Sequence, residues 1–359
     1  MHSTWQSPAT NIPSRRMARG ERQGLRNEAS CTRLSRHAWT ALIAVSLALG
    51  GWPGPGSAQT AGYPSKPVRI IAPFPPGGSV DLVARLVTDR FSEALGQQVV
   101  IDNRSGASGS IGTELAARSA PDGYTLLMHT VPFVTNGHLY RQVPYSVVND
   151  FAPVSLLSTS PSAVAVHPSV PARSVGELLK LARARPGVLN FASAGIGTNS
   201  HISGELLNLL GKVNIVPIHF KGGGPALTAT VSGEIDVSFS NIAETARYAK
   251  AGRLRALGVS SLQRSPAFPD LATISEAGLP GYEFLTWHGL LAPKGTPPAI
   301  IALLNDKVRK TMASPDVSQR FQQRGLDVVT NSPEEFSAYL KSELDKWGRV
   351  IRERKIKAE

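Results

Sequence analysis

Residues 68–82, reading VRIIAPFPPGGSVDL, hold the arrangement in this chain best suited to chemistry. An apolar, β-branched run stops at Pro73-Phe74-Pro75-Pro76, turns through Gly77-Gly78-Ser79 and enters a helical pattern at Val80. A strand that empties through glycines into a helix start leaves backbone N–H groups without partners. They aim at one point, and the helix dipole reinforces them. Such a point binds an anion. Gly77, Gly78 and the Ser79 hydroxyl are read as a cradle for a carboxylate or phosphate, with Pro75 stiffening the loop. Asp81, in the first helical turn, either complements the dipole or tests an N–H or O–H group of the ligand.

A second junction of the same kind spans residues 192–201, ASAGIGTNSH, with Thr198 and Ser200 as candidate N-caps. Gly195 and Gly197 form G-x-G, but no third glycine stands at position 200, so the dinucleotide fingerprint is absent. Two anion-ready helix starts in separate halves suit the two ends of one small dianion. A third junction, Lys221-Gly222-Gly223-Gly224-Pro225, sets a cation beside a helix start but lacks the G-K-[ST] of a phosphate loop. The glycines of 106–112, GASGSIG, fit tight backbone packing better than nucleotide binding.

Catalytic constellations are weak. The chain has no G-x-S-x-G elbow. His201 and Glu205 lie one helical turn apart, without the further ligands a metal site requires. His129, His219 and His288 have no neighbouring carboxylates in sequence. The expectation is a protein that binds without turnover, metal or cofactor. The alternative is a periplasmic α/β hydrolase acting on an anionic substrate, with Ser200 paired to His201 or His129.

The elements that position these loops alternate between strand and helix. Strands are expected over 68–73, 98–102, 124–129, 156–167, 189–192, 216–220, 237–240 and 254–259. Helices are expected over 80–95, 110–119, 175–184, 200–210 and 225–232. Thr296 followed by proline opens a helix over 297–313, and the capping box Ser332-Pro333-Glu334-Glu335 opens a long terminal helix. This order implies mostly parallel sheets with helices on both faces, in two domains.

The N-terminal residues 1–58 read differently. Arg33, Arg36 and His37 precede an apolar run over 38–51, and small residues follow at Gly56-Ser57-Ala58. This is a secretory signal pattern with cleavage near Ala58, preceded by an Arg-rich extension in which Met17 is a second candidate start besides Met1. Cleavage there removes the single cysteine, Cys31, and with it disulfide and thiol chemistry. The whole chain carries 38 Lys+Arg against 26 Asp+Glu; 31 and 24 of these lie beyond residue 58. The excess is mild and scattered, with no basic, aromatic-interleaved block of the kind that binds nucleic acid.

Together these motifs identify a resemblance. YPSKPVRIIAPFPPGGSVDLVARL, VVIDNRSGASGSIGTELAARSAPDGYTLL, YSVVNDFAPVSLL, FASAGIGTNSHISGELL, VPIHFKGGGPALTATVSGEIDVSFSN, GRLRALGVSS and ATISEAGLPGYEFLTWHGLLAPKGTP follow one another in order. The chain resembles, over about 63–355, the Bug-type extracytoplasmic solute receptors of tripartite tricarboxylate transporters. The resemblance implies a type II periplasmic-binding-protein fold: two α/β lobes joined by a two-strand hinge over 157–165 and 283–290. Lobe I would be 63–160 plus 289–359, and lobe II 161–288. It implies a monomeric periplasmic receptor capturing a small carboxylate (a di- or tricarboxylate, an amino acid or an aromatic acid) for uptake or sensing. The membrane subunits of such a transporter are the implied partner. Carried onto this chain, the ligand loops hold Pro75, Gly77, Gly78, Ser79, Asp81, Thr130, Phe133, Gly195, Gly197, Thr198, Ser200, Lys221 and Asn241. Where many of these receptors carry Asp-Asn, this chain has Ser240-Asn241, which implies a different ligand.

Overall fold

The computed structural model describes residues 62–266 and 268–358, so the expected signal segment lies outside the described residues. Among the described residues ten strands are distributed over two connected sheets. The first sheet takes β1 (Val68–Ala72), β2 (Val99–Asn103), β3 (Thr125–His129), β9 (Leu285–Pro293), β4 (Phe151–Val166) and the short β10 (Asp327–Val328). The second takes β5 (Asn190–Ser193), β6 (Val216–His219), β7 (Val237–Asn241), β8 (Arg255–Val259) and the far half of β4.

β1 pairs in parallel with β2 and β3, and β5 in parallel with β6 and β7, as strand–helix alternation requires. The central strands β4 and β9 are antiparallel to their neighbours. β4 belongs to both sheets. Its first part pairs with β9 from Phe151↔Pro293 to Pro161↔Leu285, and its last part pairs with β7 from Ser162↔Asn241 to Val166↔Val237. The change of partner falls at Pro161, which has no N–H to contribute to a ladder. A second crossing runs alongside, where Phe284 N–H donates to Ser260 O just before β9 begins.

Among the described residues ten α-helices flank the sheets: α1 (Ser79–Leu95), α2 (Ser110–Ala117), α3 (Pro132–Leu139), α4 (Val175–Ala184), α5 (Asn199–Gly211), α6 (Gly223–Ser232), α7 (Ile242–Lys250), α8 (Pro298–Met312), α9 (Pro315–Gln322) and α10 (Pro333–Glu353). α1 buries Val80, Val83, Ala84, Val87 and Phe91 at helical spacing and stops at Gly96, whose φ of 69° closes the C-cap. α3, α7 and α9 were not expected. The sequence of α3, PFVTNGHL, carries a glycine, an asparagine and β-branched residues, and burial of Phe133, Val134 and Asn136 overrides that propensity. α8 begins one residue later than expected: Pro297 is the N-cap, and Thr296 Oγ1 donates to Pro293 O instead.

Both faces of the first sheet are covered. Val68, Ile70 and Ala72 of β1 pack beneath α1 and α8, while Ile71 joins the cluster on the opposite face. That second cluster continues into the second sheet through Val164, Phe191, Leu207 and Phe239, and α10 runs along it with Phe336, Leu340, Trp347 and Ile351. α10 is anchored by the expected capping box at Ser332 and Glu335. Farther along, Glu343 Oε2 accepts from Trp287 Nε1 at 3.1 Å and Trp347 Nε1 at 2.7 Å. Burial pushes the Glu343 carboxyl above its ordinary pKa.

The glycines of 106–112 serve packing: a Cβ on Gly112 would collide with Arg104 O and Pro73. Gly289 on β9 has the same role against α10, since a Cβ there would overlap the Phe336 ring, itself fully buried. Gly289→Ala should therefore lower the unfolding free energy by about 1–3 kcal/mol, the range for overpacking a core. Urea denaturation measures it, and an unchanged midpoint would show that Phe336 has room to move.

Candidate functional site

Three strand–helix junctions open on one cleft of about 640 Å³. From the first sheet come Pro75, Gly77, Gly78, Ser79 and Val80 at the start of α1, with Thr130 from the β3–α3 loop and Pro132 at the start of α3. From the second come Thr198, Asn199 and Ser200 at the start of α5, and Gly222, Gly223 and Gly224 at the start of α6. None of these three helices carries a side-chain cap. Among the described residues no group accepts from the backbone N–H of Ser79, Val80, Asn199, Ser200, Gly223 or Gly224. By contrast, Ser174 and Ser332 cap α4 and α10, away from the cleft. Three positive helix ends with free donors thus face one space.

The first loop is built to hold that geometry. Gly77 adopts φ 83°, a conformation open to glycine, and its N–H donates to Asp81 Oδ2 at 2.9 Å. Gly78 N–H donates to Pro75 O. Asp81 is 3% exposed and does not line the cleft. Arg85 Nε donates to its Oδ2 at 2.9 Å and Asn103 Nδ2 to its Oδ1 at 3.0 Å. Burial raises the carboxyl's pKa, but the bonds from Arg85, Gly77 and Asn103 outweigh burial and hold it below the ordinary carboxylate value. Asp81 ties the loop to α1 and β2 from behind.

The other expected residues divide in the same way. Phe133 is fully buried, 5.8 Å from the stacked Tyr145 ring and 5.2 Å from Phe151, so Pro132 beside it forms the wall. Gly195 and Gly197 lie behind the cleft. Gly195 O accepts from Thr198 Oγ1 at 2.7 Å, and Gly197 N–H donates to His201 Nδ1 at 3.0 Å. Gly197 O accepts from Thr135 Oγ1 of α3 at 3.1 Å, which ties the α5 loop to the first sheet's side. Ser200 Oγ lines the cleft while accepting from Ala194 N–H at 2.9 Å. Lys221 is exposed and does not line the cleft, whereas its three glycine successors do. Asn241 lines it with both ends of its amide engaged: Oδ1 caps α7 through Ala243 N–H, and Nδ2 donates to Ser160 Oγ at 3.1 Å.

Several cleft residues were not anticipated. The floor consists of the two crossing strands. Ser160 and Ser162 of β4, with Thr286 and His288 of β9, alternate at period 2. The cross-strand pairs are Ser158↔His288, Ser160↔Thr286 and Ser162↔Asn241. The signal was present in the alternation of serines through an otherwise apolar strand, STSPS over 158–162. Arg247 of α7 and Arg324 of the α9–β10 loop supply the cations of the wall, against one carboxylate, Glu244. No local pattern marks either arginine as a cleft residue. Thr130 Oγ1, Asn199 Oδ1 and His288 Nε2 are buried polar atoms of cleft-lining residues with no partner.

The two Ser–His contacts at the second loop and the floor differ from the expected pairings. Ser200 bonds to neither His201 nor His129; instead Ser158 Oγ lies 3.1 Å from His288 Nδ1, and Ser193 Oγ lies 3.0 Å from His219 Nδ1. Among the described residues no three His, Cys, Asp or Glu side chains converge as a metal site.

Two sheets joined through β4 and through the segment leading into β9, with helix starts from both sides facing a cleft, define the two-lobe fold of periplasmic solute-binding proteins. Three known proteins show the likeness. A protein encoded in the tcbD–tcbE intergenic region of Pseudomonas sp. strain P51 is 41% identical over 297 residues, 82% of this chain and 88% of the relative. A Rhodopseudomonas palustris protein solved with adipate has a TM-score of 0.75 and 34% identity, covering 82% of this chain and 99% of that one. MatC from the same species, solved with bound malate, has a TM-score of 0.73 and 33% identity, covering 80% and 100%. Residues 83–356 match the tripartite tricarboxylate transporter family receptor, and the chain belongs to that family of solute-binding receptors. Among the described residues no helix is long and apolar enough to cross a membrane.

Burial lowers the pKa of three histidines around this site, to about 3 for His129 and His201 and about 4 for His288. Each is neutral in the folded protein, whereas an unfolded imidazole binds its proton near pH 6.5. Below that pH the unfolded chain therefore holds more protons, and acidification favours unfolding until the folded pKa values are reached. Urea melts between pH 7 and pH 5 should show stability falling with pH, by up to about 1.4 kcal/mol per unit for each histidine. The slope should be shallower in His129→Gln. A flat profile would mean that these rings are not buried neutral.

Proposed function

We propose that this chain is a periplasmic solute-binding receptor that captures a small carboxylate between its two lobes, for uptake or sensing. The observation that carries this reading is the convergence of three uncapped helix N-termini, α1, α5 and α6, on one cleft. Their free N–H groups and dipole ends favour an anion, and Arg247 and Arg324 add positive charge at the wall. Relatives solved with adipate and with malate support a carboxylate of this size.

The lobes comprise 63–160 plus 289–359 and 161–288, and the two crossings of β4 and the β9 approach act as the hinge. A ligand held by α1 on one side and by α5 and α6 on the other stabilises the closed state, because only that state supplies both sets of donors. Residues 1–58 direct export and are removed near Ala58. The receptor acts as a monomer, delivering its solute to the membrane subunits of a tripartite transporter where one is present. Pro75, Gly77, Gly78, Ser79, Thr130, Thr198, Ser200 and Asn241 contribute to capture from the cleft wall, supported from behind by Asp81, Phe133, Gly195 and Gly197, with Lys221 at the exposed rim.

The hydrolase reading draws on the Ser158–His288 contact. Against it, Ser158 is fully buried and is not a cleft-lining residue, so its hydroxyl is out of a substrate's reach. Ligand recovered from the receptor should be chemically unchanged.

Thermal-shift and calorimetric titration with di- and tricarboxylates, amino acids and aromatic acids tests the function. Ligand at a hundred times its dissociation constant adds about 2.7 kcal/mol to unfolding. Ser79→Pro and Asn199→Pro each delete one free N–H at the first position of a helix, where proline is tolerated and the preceding residue is already extended. Each should weaken carboxylate binding roughly 10- to 100-fold, the worth of one charge-assisted hydrogen bond, with little change in melting temperature. Absence of any shift across the panel would sink the carboxylate reading, and undiminished affinity in both variants would sink the role of the helix starts.

A further inference from the structure

Free helix ends account for the anionic ends of a ligand and leave the floor unexplained. There the cleft offers a different chemistry. Ser160 Oγ is occupied, donating to Gly325 O at 2.7 Å and accepting from Asn241 Nδ2. His288, one pleat along β9 from Thr286, is 1% exposed, fixed by Ser158 at its Nδ1, and has nothing at its Nε2. A buried polar atom without a partner is costly, and its presence in a cleft wall points to a partner that arrives with the ligand.

We propose that His288 is a specificity-determining residue, its Nε2 hydrogen-bonding a hydroxyl carried on the carbon chain of the ligand, so that the solute is a hydroxycarboxylate. The proposal rests on the carboxylate-receptor reading given above. His288 offers one free nitrogen on a ring that is fixed through its other nitrogen, and a hydroxyl pairs with it by a single hydrogen bond. Either tautomer is compatible with the Ser158 contact: the serine hydroxyl donates to Nδ1 and leaves an N–H at Nε2, or Nδ1–H donates to the serine and leaves a lone pair. A hydroxyl both donates and accepts, and so satisfies both cases. Thr130 Oγ1 and Asn199 Oδ1 are further buried, unpartnered polar atoms of cleft-lining residues. A site whose buried polar atoms await a hydroxyl rejects the analogue that lacks it, because those atoms are then left unpaired.

Calorimetric titration with acids matched in length, succinate and malate, glutarate and 2-hydroxyglutarate, adipate and 3-hydroxyadipate, tests this in wild type, His288→Leu and His288→Gln. In the best-binding pair the hydroxy acid should bind wild type roughly 10- to 100-fold more tightly. The gap should close in His288→Leu, through lost affinity for the hydroxy acid alone, and be largely kept in His288→Gln. A gap that persists in His288→Leu, or a wild-type preference for the unsubstituted acid, overturns the assignment while leaving the receptor reading intact. Failure of all six acids to bind wild type overturns the hydroxycarboxylate assignment, and the receptor reading falls with it only if the tricarboxylates, amino acids and aromatic acids also fail to bind. Nitrogen-15 spectra of wild type need no variant: the His288 Nε2 resonance should move with the hydroxy acid and not with its unsubstituted partner, and a resonance unmoved by the hydroxy acid also overturns the proposal.

Discussion

The backbone N–H groups of a helix's first turn need acceptors, and in this protein three helices leave theirs to the cleft. Much of the surrounding structure follows from keeping those donors free. Gly78 and Gly222 stand at two of the N-cap positions and have no side chain to offer. Thr198 stands at the third, but its hydroxyl is turned to Gly195 O. Ser200, which could compete for a donor, is held by Ala194 N–H. Asp81, the one carboxylate in the first turn of α1, has its oxygens turned to Gly77, Arg85 and Asn103. Thr198, Ser200 and Asp81 are thus engaged elsewhere, leaving the helix ends to a ligand.

The scaffold that brings the three ends together combines continuity with a point of change. β4 passes from one sheet to the other at Pro161, and the α10 side of the molecule carries a single apolar cluster reaching both sheets. α10 binds this cluster through Phe336, Leu340 and Trp347, and its C-cap residue Arg354 donates to Glu205 Oε2 of α5 at 2.6 Å. The terminal helix therefore reaches the same helix whose first turn faces the cleft. His201, on that helix, accepts from Gly197 N–H and so fixes the loop leading into it.

Charge is kept off the floor. His288 is held neutral by burial, as are His129 and His201, which do not line the cleft, and the hydroxyls of the β4 serines are mostly satisfied within the protein. A neutral, polar floor between positive helix ends suits a ligand whose charge lies at its extremities. At the end of β7 stands Ser240, and the neighbouring Asn241 spends its amide on capping α7 and bonding Ser160.

Much was legible in the residues themselves. Strand-to-helix alternation, the glycine junctions at 77–78, 195–197 and 222–224, and the capping box at Ser332 are local patterns, set by backbone sterics and periodicity over a few residues. They sufficed for an α/β alternation in two domains and for the positions of the helix starts, whereas the two-lobe fold was implied by the resemblance of the ordered blocks. What local pattern does not carry is which ends meet. Ser158 and His288 are 130 positions apart and face each other only because β4 and β9 cross. Phe133 reads as a loop residue facing the ligand, yet stacks in the core once α3 forms; Asp81 reads as a ligand contact, yet turns inward to Gly77 and Asn103. Arg324 reaches the cleft from a loop that no motif marks. Residue types and short spacings decide the elements because those forces act along the chain. The tertiary structure alone decided the floor of the site, the free nitrogen of His288 and the inward turn of Asp81, because burial and hydrogen-bond satisfaction are settled between segments distant in sequence.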